Sequence, residues 1–126
     1  MLSRPGKLAP AIPEEPTKIK ILCIGDTKVG KTAFIKRLID DKNGFPDDYD
    51  PTVGSDYFMK PQRTASGFFQ MNFWDLSGDR DYAEVRNEFY KESQVMLLMF
   101  DCTRKGTFEN LAKWQAEAEA NAGEHL

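Results

Sequence analysis

The chain is poor in the residues that announce several common functions. It has two cysteines in 126 residues, too few for a disulfide framework, and one histidine. Cys23 lies in an apolar run and Cys102 just beyond another, so both read as buried thiols of a reducing compartment. His125, near the terminus, reads as a solvated side chain rather than a metal ligand. No apolar stretch reaches the 18 or so residues that a transmembrane helix needs. The first residues lack the apolar core of a secretory signal. Acidic residues outnumber basic ones by 20 to 17, giving a net charge of −3. No basic stripe stands out, which argues against nucleic acid as a partner. No terminal cysteine encodes a prenyl anchor. The chain therefore reads as cytoplasmic or nuclear, with room for one domain.

What is present is concentrated early. Gly25-Asp26-Thr27-Lys28-Val29-Gly30-Lys31-Thr32 has the form G-x-x-x-x-G-K-T. Before it, Lys18 to Ile24 is apolar and β-branched enough for a buried strand. After it, Ala33 to Ile39 has helical spacing of apolar residues. Strand, glycine loop and helix form the context in which this pattern is a phosphate site. Gly25 and Gly30 let the backbone wrap closely, so that the N–H groups of Thr27 to Ala33 point at phosphate oxygens. The helix start adds partial positive charge. Lys31 would reach the terminal phosphates, and the Thr32 hydroxyl would ligate Mg²⁺. The bland alternative is a strand–helix turn with no ligand.

Residues 1–17 carry four of the seven prolines and no apolar period, which predicts an extended or flexible tail before a domain at 18–126. The helix after the loop is expected to end near Asp41, at Asn43-Gly44 and Pro46. An acidic, turn-prone segment follows over 45–54, long for a plain connector. Extended runs at Ser55–Pro61 and Gly67–Trp74 predict a hairpin. A helical segment spans about Tyr82 to Glu92. Val95 to Phe100 is continuously apolar, as in a strand covered on both faces. A last amphipathic helix runs from Phe108 to about Asn121, with Gly123 as its stop. The alternation predicts an α/β open sheet, mostly parallel with one hairpin.

Two further pieces fit a nucleotide triphosphate site. Asp75 stands at a strand end and can hold Mg²⁺ directly or through water, and Gly78 offers an unobstructed N–H to a terminal phosphate. Asp-x-x-Gly alone is a common turn. Thr52, in Pro51-Thr52-Val53-Gly54, can add a second hydroxyl to the metal and an N–H to the γ-phosphate. A loop held by that phosphate would be released on its loss.

With these stretches in order, the chain resembles the Ras-like small GTPases, in their Rab-like branch. The matching residues are 25–32, Pro51 to Tyr57 and Trp74 to Gly78. Tyr82 to Gln94 looks particularly like the RJL (Rab- and DnaJ-like) group, whose members sometimes carry a J domain; none is present here. The resemblance implies the P-loop NTPase fold of a small G domain, a GTP/GDP-binding switch with Mg²⁺, and effectors that dock on the switch loops. It places Tyr57, Trp74 and Phe89 where Rab proteins present an aromatic triad, although core packing would use them equally well.

Two departures matter. Asp79 stands where the family usually has the glutamine that orients attacking water. A carboxylate there is shorter and places negative charge near the γ-phosphate, so slow or absent hydrolysis is expected, and the enzyme assignment stays open. The RJL group shares the lack of that glutamine. The family fold also continues through two more strands and helices, bearing the Asn-Lys-x-Asp guanine motif, which this sequence lacks. About four strands and three helices are expected, with residues 95–100 at an open edge. The alternative reading is a degenerate, truncated G domain acting as a structural subunit of a larger assembly that covers that edge. A ciliary setting follows by resemblance only, from the RJL association with flagellated organisms. An ATP-using P-loop enzyme lacks any recognisable second substrate site.

Overall fold

The computed structural model describes residues 15–40 and 54–123. Strand β1 (Thr17–Gly25) enters the glycine loop and continues as helix α1 (Lys31–Ile39). Strands β2 (Ser55–Thr64) and β3 (Gly67–Leu76) form the hairpin. A 3-10 turn at Arg80–Tyr82 leads into helix α2 (Ala83–Phe89), followed by strand β4 (Val95–Met99). Helices α3 (Lys105–Glu109) and α4 (Leu111–Asn121) complete the described residues.

The four strands make one sheet in the order β2-β3-β1-β4. β1 runs parallel to both neighbours, from Thr17 opposite Phe69 to Cys23 opposite Asp75, and from Ile21 opposite Val95 to Gly25 opposite Met99. β2 is antiparallel to β3, from Ser55 opposite Leu76 to Thr64 opposite Gly67. The predicted open, mostly parallel sheet with one hairpin is what forms.

β1 is apolar on both faces because both are covered. Leu22 and Ile24 pack with Leu76, Tyr90, Trp114 and Ala118 under α2 and α4. Ile21 and Cys23, pointing the other way, pack with Ile35 of α1 and Phe73. Each fully buried aliphatic side chain such as Leu22 or Ile35 contributes about 1.5–3 kcal/mol by leaving water. Because β1 is central and rigid, its last residue delivers the glycine loop to a fixed place.

Several local expectations are revised. β1 begins at Thr17, inside the segment assigned to the tail; residues 1–14 lie outside the described residues. α1 ends at Ile39, two residues early. The Tyr82–Glu92 helix is shorter, because the 3-10 turn takes its start and Glu92, at φ 61, has left the helical region. The final helix starts at Lys105 rather than Phe108 and breaks at Asn110, whose ψ of −11° tightens the chain so that Lys113 N–H reaches Asn110 O as well as Trp114 N–H. Cys102 is exposed, not buried, because it sits in the turn after β4; Cys23 is buried, and both thiols are free.

The two sheet edges differ. β2 carries Lys60, Pro61 and Arg63, residues that discourage further strand pairing. β4 carries none, and among the described residues it has no partner beyond β1; Val95 and Leu98 are each 37 % exposed. The strand expected to be covered on both faces is half-exposed for that reason.

Candidate functional site

The glycine loop leaves the C-terminal end of β1 between two backbone contacts that only glycine permits. A Cβ on Gly25 would stand 2.3 Å from Met99 O of β4. A Cβ on Gly78 would stand 2.3 Å from Gly25 O, and 2.7 Å from both Asp26 C and Thr27 N. The Asp-x-x-Gly glycine after β3 therefore lies directly on the backbone of the phosphate loop. Two sequence motifs separated by a hairpin meet here, which strand order alone achieves: β3 is the parallel neighbour of β1.

Within the loop, Lys28 and Gly30 adopt left-handed backbone, at φ 63 and 98. Interleaved with residues of the other hand, such positions turn successive N–H groups toward one concavity, suited to an anion. Gly30 is the residue before α1, and Phe34 N–H reaches its carbonyl at 2.8 Å. Lys31 is buried, and its Nζ donates to Gly25 O at 3.0 Å and Asp26 O at 2.7 Å. Burial pushes the Lys31 ammonium below its ordinary range, opposed by the nearby Asp75 carboxylate. Val29 and Ala33 are half-buried beside it, and Thr27 is exposed.

Thr32 Oγ1 donates to Asp75 Oδ2, and Asp75 is fully buried. The two predicted metal ligands are thus in contact. A hydroxyl and a carboxylate are hard oxygen donors of the kind Mg²⁺ takes. The described residues contain no group of three or more His, Cys, Asp or Glu side chains placed for a metal. A Mg²⁺ ion here would draw its other ligands from phosphate and water, which is the usual arrangement for this cation. Thr52, the third predicted ligand, lies outside the described residues.

Asp79 is exposed and its side chain has a local task. Oδ1 accepts from Asp81 N–H at 2.9 Å, capping the 3-10 turn. A capping carboxylate stabilises a turn start by satisfying an otherwise unpaired N–H.

A set of residues not singled out in the sequence holds this site from behind. Asp26, an unspecified position of the motif, accepts from Asn110 Nδ2 at 2.7 Å and from Trp114 Nε1 at 2.8 Å. Arg86 of α2 is buried; its Nη1 donates to Ser77 O at 2.9 Å and Asp79 O at 2.6 Å, on either side of Gly78. Its other nitrogens form a fork to Glu117, at 3.1 and 3.0 Å, and its guanidinium stacks 4.6 Å from the Trp114 ring. Tyr90 Oη also donates to Glu117, and burial followed by that bond pushes the phenol well above its ordinary range. The phosphate loop and the Gly78 loop are therefore both tied to α4. The only signal in the sequence was a charged residue, Arg86, on the apolar side of a helix. A cavity of about 480 Å³ opens beside this network, lined by Asp26, Arg80, Arg86, Lys113 and Trp114 among others. Its inner polar groups, Asp26 and Arg86, are already paired within the protein.

The three aromatics lie in a row, with successive rings tilted by 46° and 43°. Tyr57 and Trp74 rings are 4.7 Å apart and Trp74 and Phe89 rings 5.1 Å. Trp74 and Phe89 also pack on the core, while Tyr57 is 47 % exposed. Core packing and surface presentation are both in use, at opposite ends of the row.

The family model described as Ras family matches residues 20–126. The chain belongs to the Ras family. Among curated relatives, DnaJ homolog subfamily C member 27 of Bos taurus is 34 % identical over 113 residues, covering 90 % of this chain and 41 % of its own length. The Homo sapiens protein of that name gives the same identity and coverage. DnaJ homolog subfamily C member 27-A of Xenopus laevis is 36 % identical over 106 residues, covering 84 % of this chain and 38 % of its own length. The chain spans about two-fifths of these relatives. Their names agree with the expected likeness to the RJL group of this family. Among the described residues no helix is long and apolar enough to cross a membrane.

Proposed function

We propose that this Ras-family chain binds GTP and GDP with Mg²⁺ and acts as a switch of Rab/RJL type with weak or absent intrinsic hydrolysis. The observation that carries the reading is the contact of Gly78 with Gly25 to Thr27, beside the Thr32–Asp75 pair. A loop that sits on the phosphate loop through a glycine is placed to respond to a terminal phosphate. Lys31 supplies charge, the 27–33 N–H groups supply donors, and Thr32 and Asp75 supply metal ligands. Asp79 supports slow hydrolysis, since its carboxylate is committed to capping the 80–82 turn and cannot donate to water when ionised. Effectors would read the Tyr57–Trp74–Phe89 row and the loops beside it.

A second reading is supported by the β4 edge, which has no partner beyond β1 among the described residues: a G-domain piece built into a larger assembly, its nucleotide site a relic. Cytoplasmic residence goes with both readings, and a ciliary setting with the second.

Fluorescent GTP, GDP and ATP analogues, titrated into the 126-residue chain with Mg²⁺ or with EDTA, separate the two. Guanine-selective, Mg²⁺-dependent binding supports the switch. Absence of binding to all three, with self-association of the isolated chain, refutes it in favour of the structural piece.

A further inference from the structure

The crown of the phosphate loop contains a residue that ought to resist its own conformation. Lys28 has φ 63, a region that is unfavourable for a side-chain-bearing residue and persists only where neighbours hold it. The structure supplies a holder. Arg104, in the turn after β4, donates from Nη2 to Thr27 O at 3.3 Å and to Lys28 O at 2.6 Å. These two carbonyls belong to the peptide groups on either side of the Lys28 Cα. Fixing both planes fixes the φ and ψ between them.

Arg104 is itself aimed. Its Nε donates to Asp101 Oδ2 at 3.2 Å. The other oxygen of Asp101 accepts from Thr103 N–H at 2.9 Å and Thr103 Oγ1 at 2.6 Å. Thr107 Oγ1 closes the turn by donating to Arg104 O at 2.7 Å, while Asp101 N–H donates to Thr107 Oγ1 at 2.9 Å. The turn 101–107 is thus a rigid bracket at the end of β4, and its projecting arm is a guanidinium on the loop. Nη2 carries two N–H donors fixed in the guanidinium plane, and with Nε held on Asp101 that plane is oriented toward the two adjacent carbonyls, which a freely rotating ammonium would not reproduce.

We propose that Arg104 is a positioning residue for phosphate binding: by clamping the Thr27 and Lys28 carbonyls it holds Lys28 in left-handed backbone, so that the N–H groups of the loop stay aimed at a nucleoside di- or triphosphate. The proposal rests on the nucleotide reading above. It does not require Arg104 to touch the ligand, and it predicts a specific non-additivity. Glycine enters the left-handed region without cost, so a chain carrying glycine at position 28 has no need of the clamp.

The test is a double-mutant cycle on the full chain with a fluorescent GDP analogue and Mg²⁺, using Arg104→Ala, Lys28→Gly and both together. Arg104→Ala is expected to weaken binding about tenfold in the parent, and less than about threefold in the Lys28→Gly background. A general structural role would lower affinity equally in both backgrounds, and that result, or no loss in the parent, overturns the proposal. Arg104→Lys is expected to recover only part of the loss. If the parent chain binds no nucleotide, the nucleotide reading itself fails. The clamp is then read from amide hydrogen exchange at Val29 and Gly30. Arg104→Ala should speed exchange there in the parent but not in the Lys28→Gly background; equal effects in both overturn the clamp.

Discussion

Removing Glu117 should be far more costly than its place on a surface helix suggests. The Arg86 side chain is 5 % exposed and that of Glu117 is 20 %, so their pairing is shielded from solvent on the arginine side. Glu117→Ala leaves the buried guanidinium with its two backbone carbonyls but without its counter-charge, and strips the Tyr90 hydroxyl of its acceptor. Breaking a buried pair from one side costs about 3–5 kcal/mol, against about 0–1 kcal/mol for an exposed pair. A loss of about 3 kcal/mol in a domain of this size lowers Tm by roughly 10–15 °C. Glu117→Gln keeps the shape and one acceptor and should cost about half as much. The assay is thermal and urea denaturation followed by circular dichroism on both variants and the parent. A Glu117→Ala loss under about 1 kcal/mol would refute the argument, and would mean that the fork is a surface pair of no consequence for the Gly78 loop.

Four other perturbations have definite expected outcomes. Gly78→Ala places a methyl group against backbone atoms at 2.3 and 2.7 Å, so the two loops must part; nucleotide affinity should fall at least about tenfold, while Gly106→Ala, which meets nothing within 4 Å in α3, should stabilise by about 0.5–1 kcal/mol. A thiol reagent at pH 8 should modify Cys102 at once and Cys23 only on unfolding, because burial, followed by the Asp75 charge, pushes the Cys23 thiol up to about 12; two fast-reacting thiols would contradict this. Lys31 has its folded pKa lowered by burial, so between that value and the unfolded value near 10.5 the unfolded chain binds more protons and stability from this group rises with pH. Denaturation midpoints measured from neutral to alkaline pH should show that contribution in the parent and not in Lys31→Met; identical pH profiles would refute it.

The parts of the fold that were legible in the sequence are those set by local pattern. β1 and α1 are marked by an apolar run, a glycine loop and a helical period, and the hairpin by two extended runs around a turn. That the Gly78 loop serves the same site as the glycine loop was expected from the two motifs together; the strand order that makes β3 the parallel neighbour of β1, and so brings their C-terminal ends together, was not read from the sequence. What was not legible depends on partners far away in the chain. Asp26 reads as a spacer until Asn110 and Trp114 arrive, 84 and 88 residues later. Arg86 reads as an unexplained charge on the apolar side of its helix until Glu117 and the Ser77 and Asp79 carbonyls surround it. Arg104 reads as a loop cation. The break at Asn110 separates α3 from α4 within an apparently single helical pattern. Asp79 reads as a lost catalytic position, and the sequence alone does not reveal that its carboxylate caps the turn after it. Cys102 follows an apolar run, and only the turn geometry brings it to the surface.

The central claim is that the loop at 25–32 holds nucleotide phosphates, with Lys31 and the Thr32–Asp75 pair as its charged core. The most direct measurement is the dissociation constant of a fluorescent GDP analogue for the parent chain and for Lys31→Ala, with and without Mg²⁺. The account predicts Mg²⁺-dependent binding that weakens at least about a hundredfold in the variant, while its circular dichroism spectrum stays that of the parent. Equal affinity for parent and variant, or binding indifferent to Mg²⁺, would contradict it.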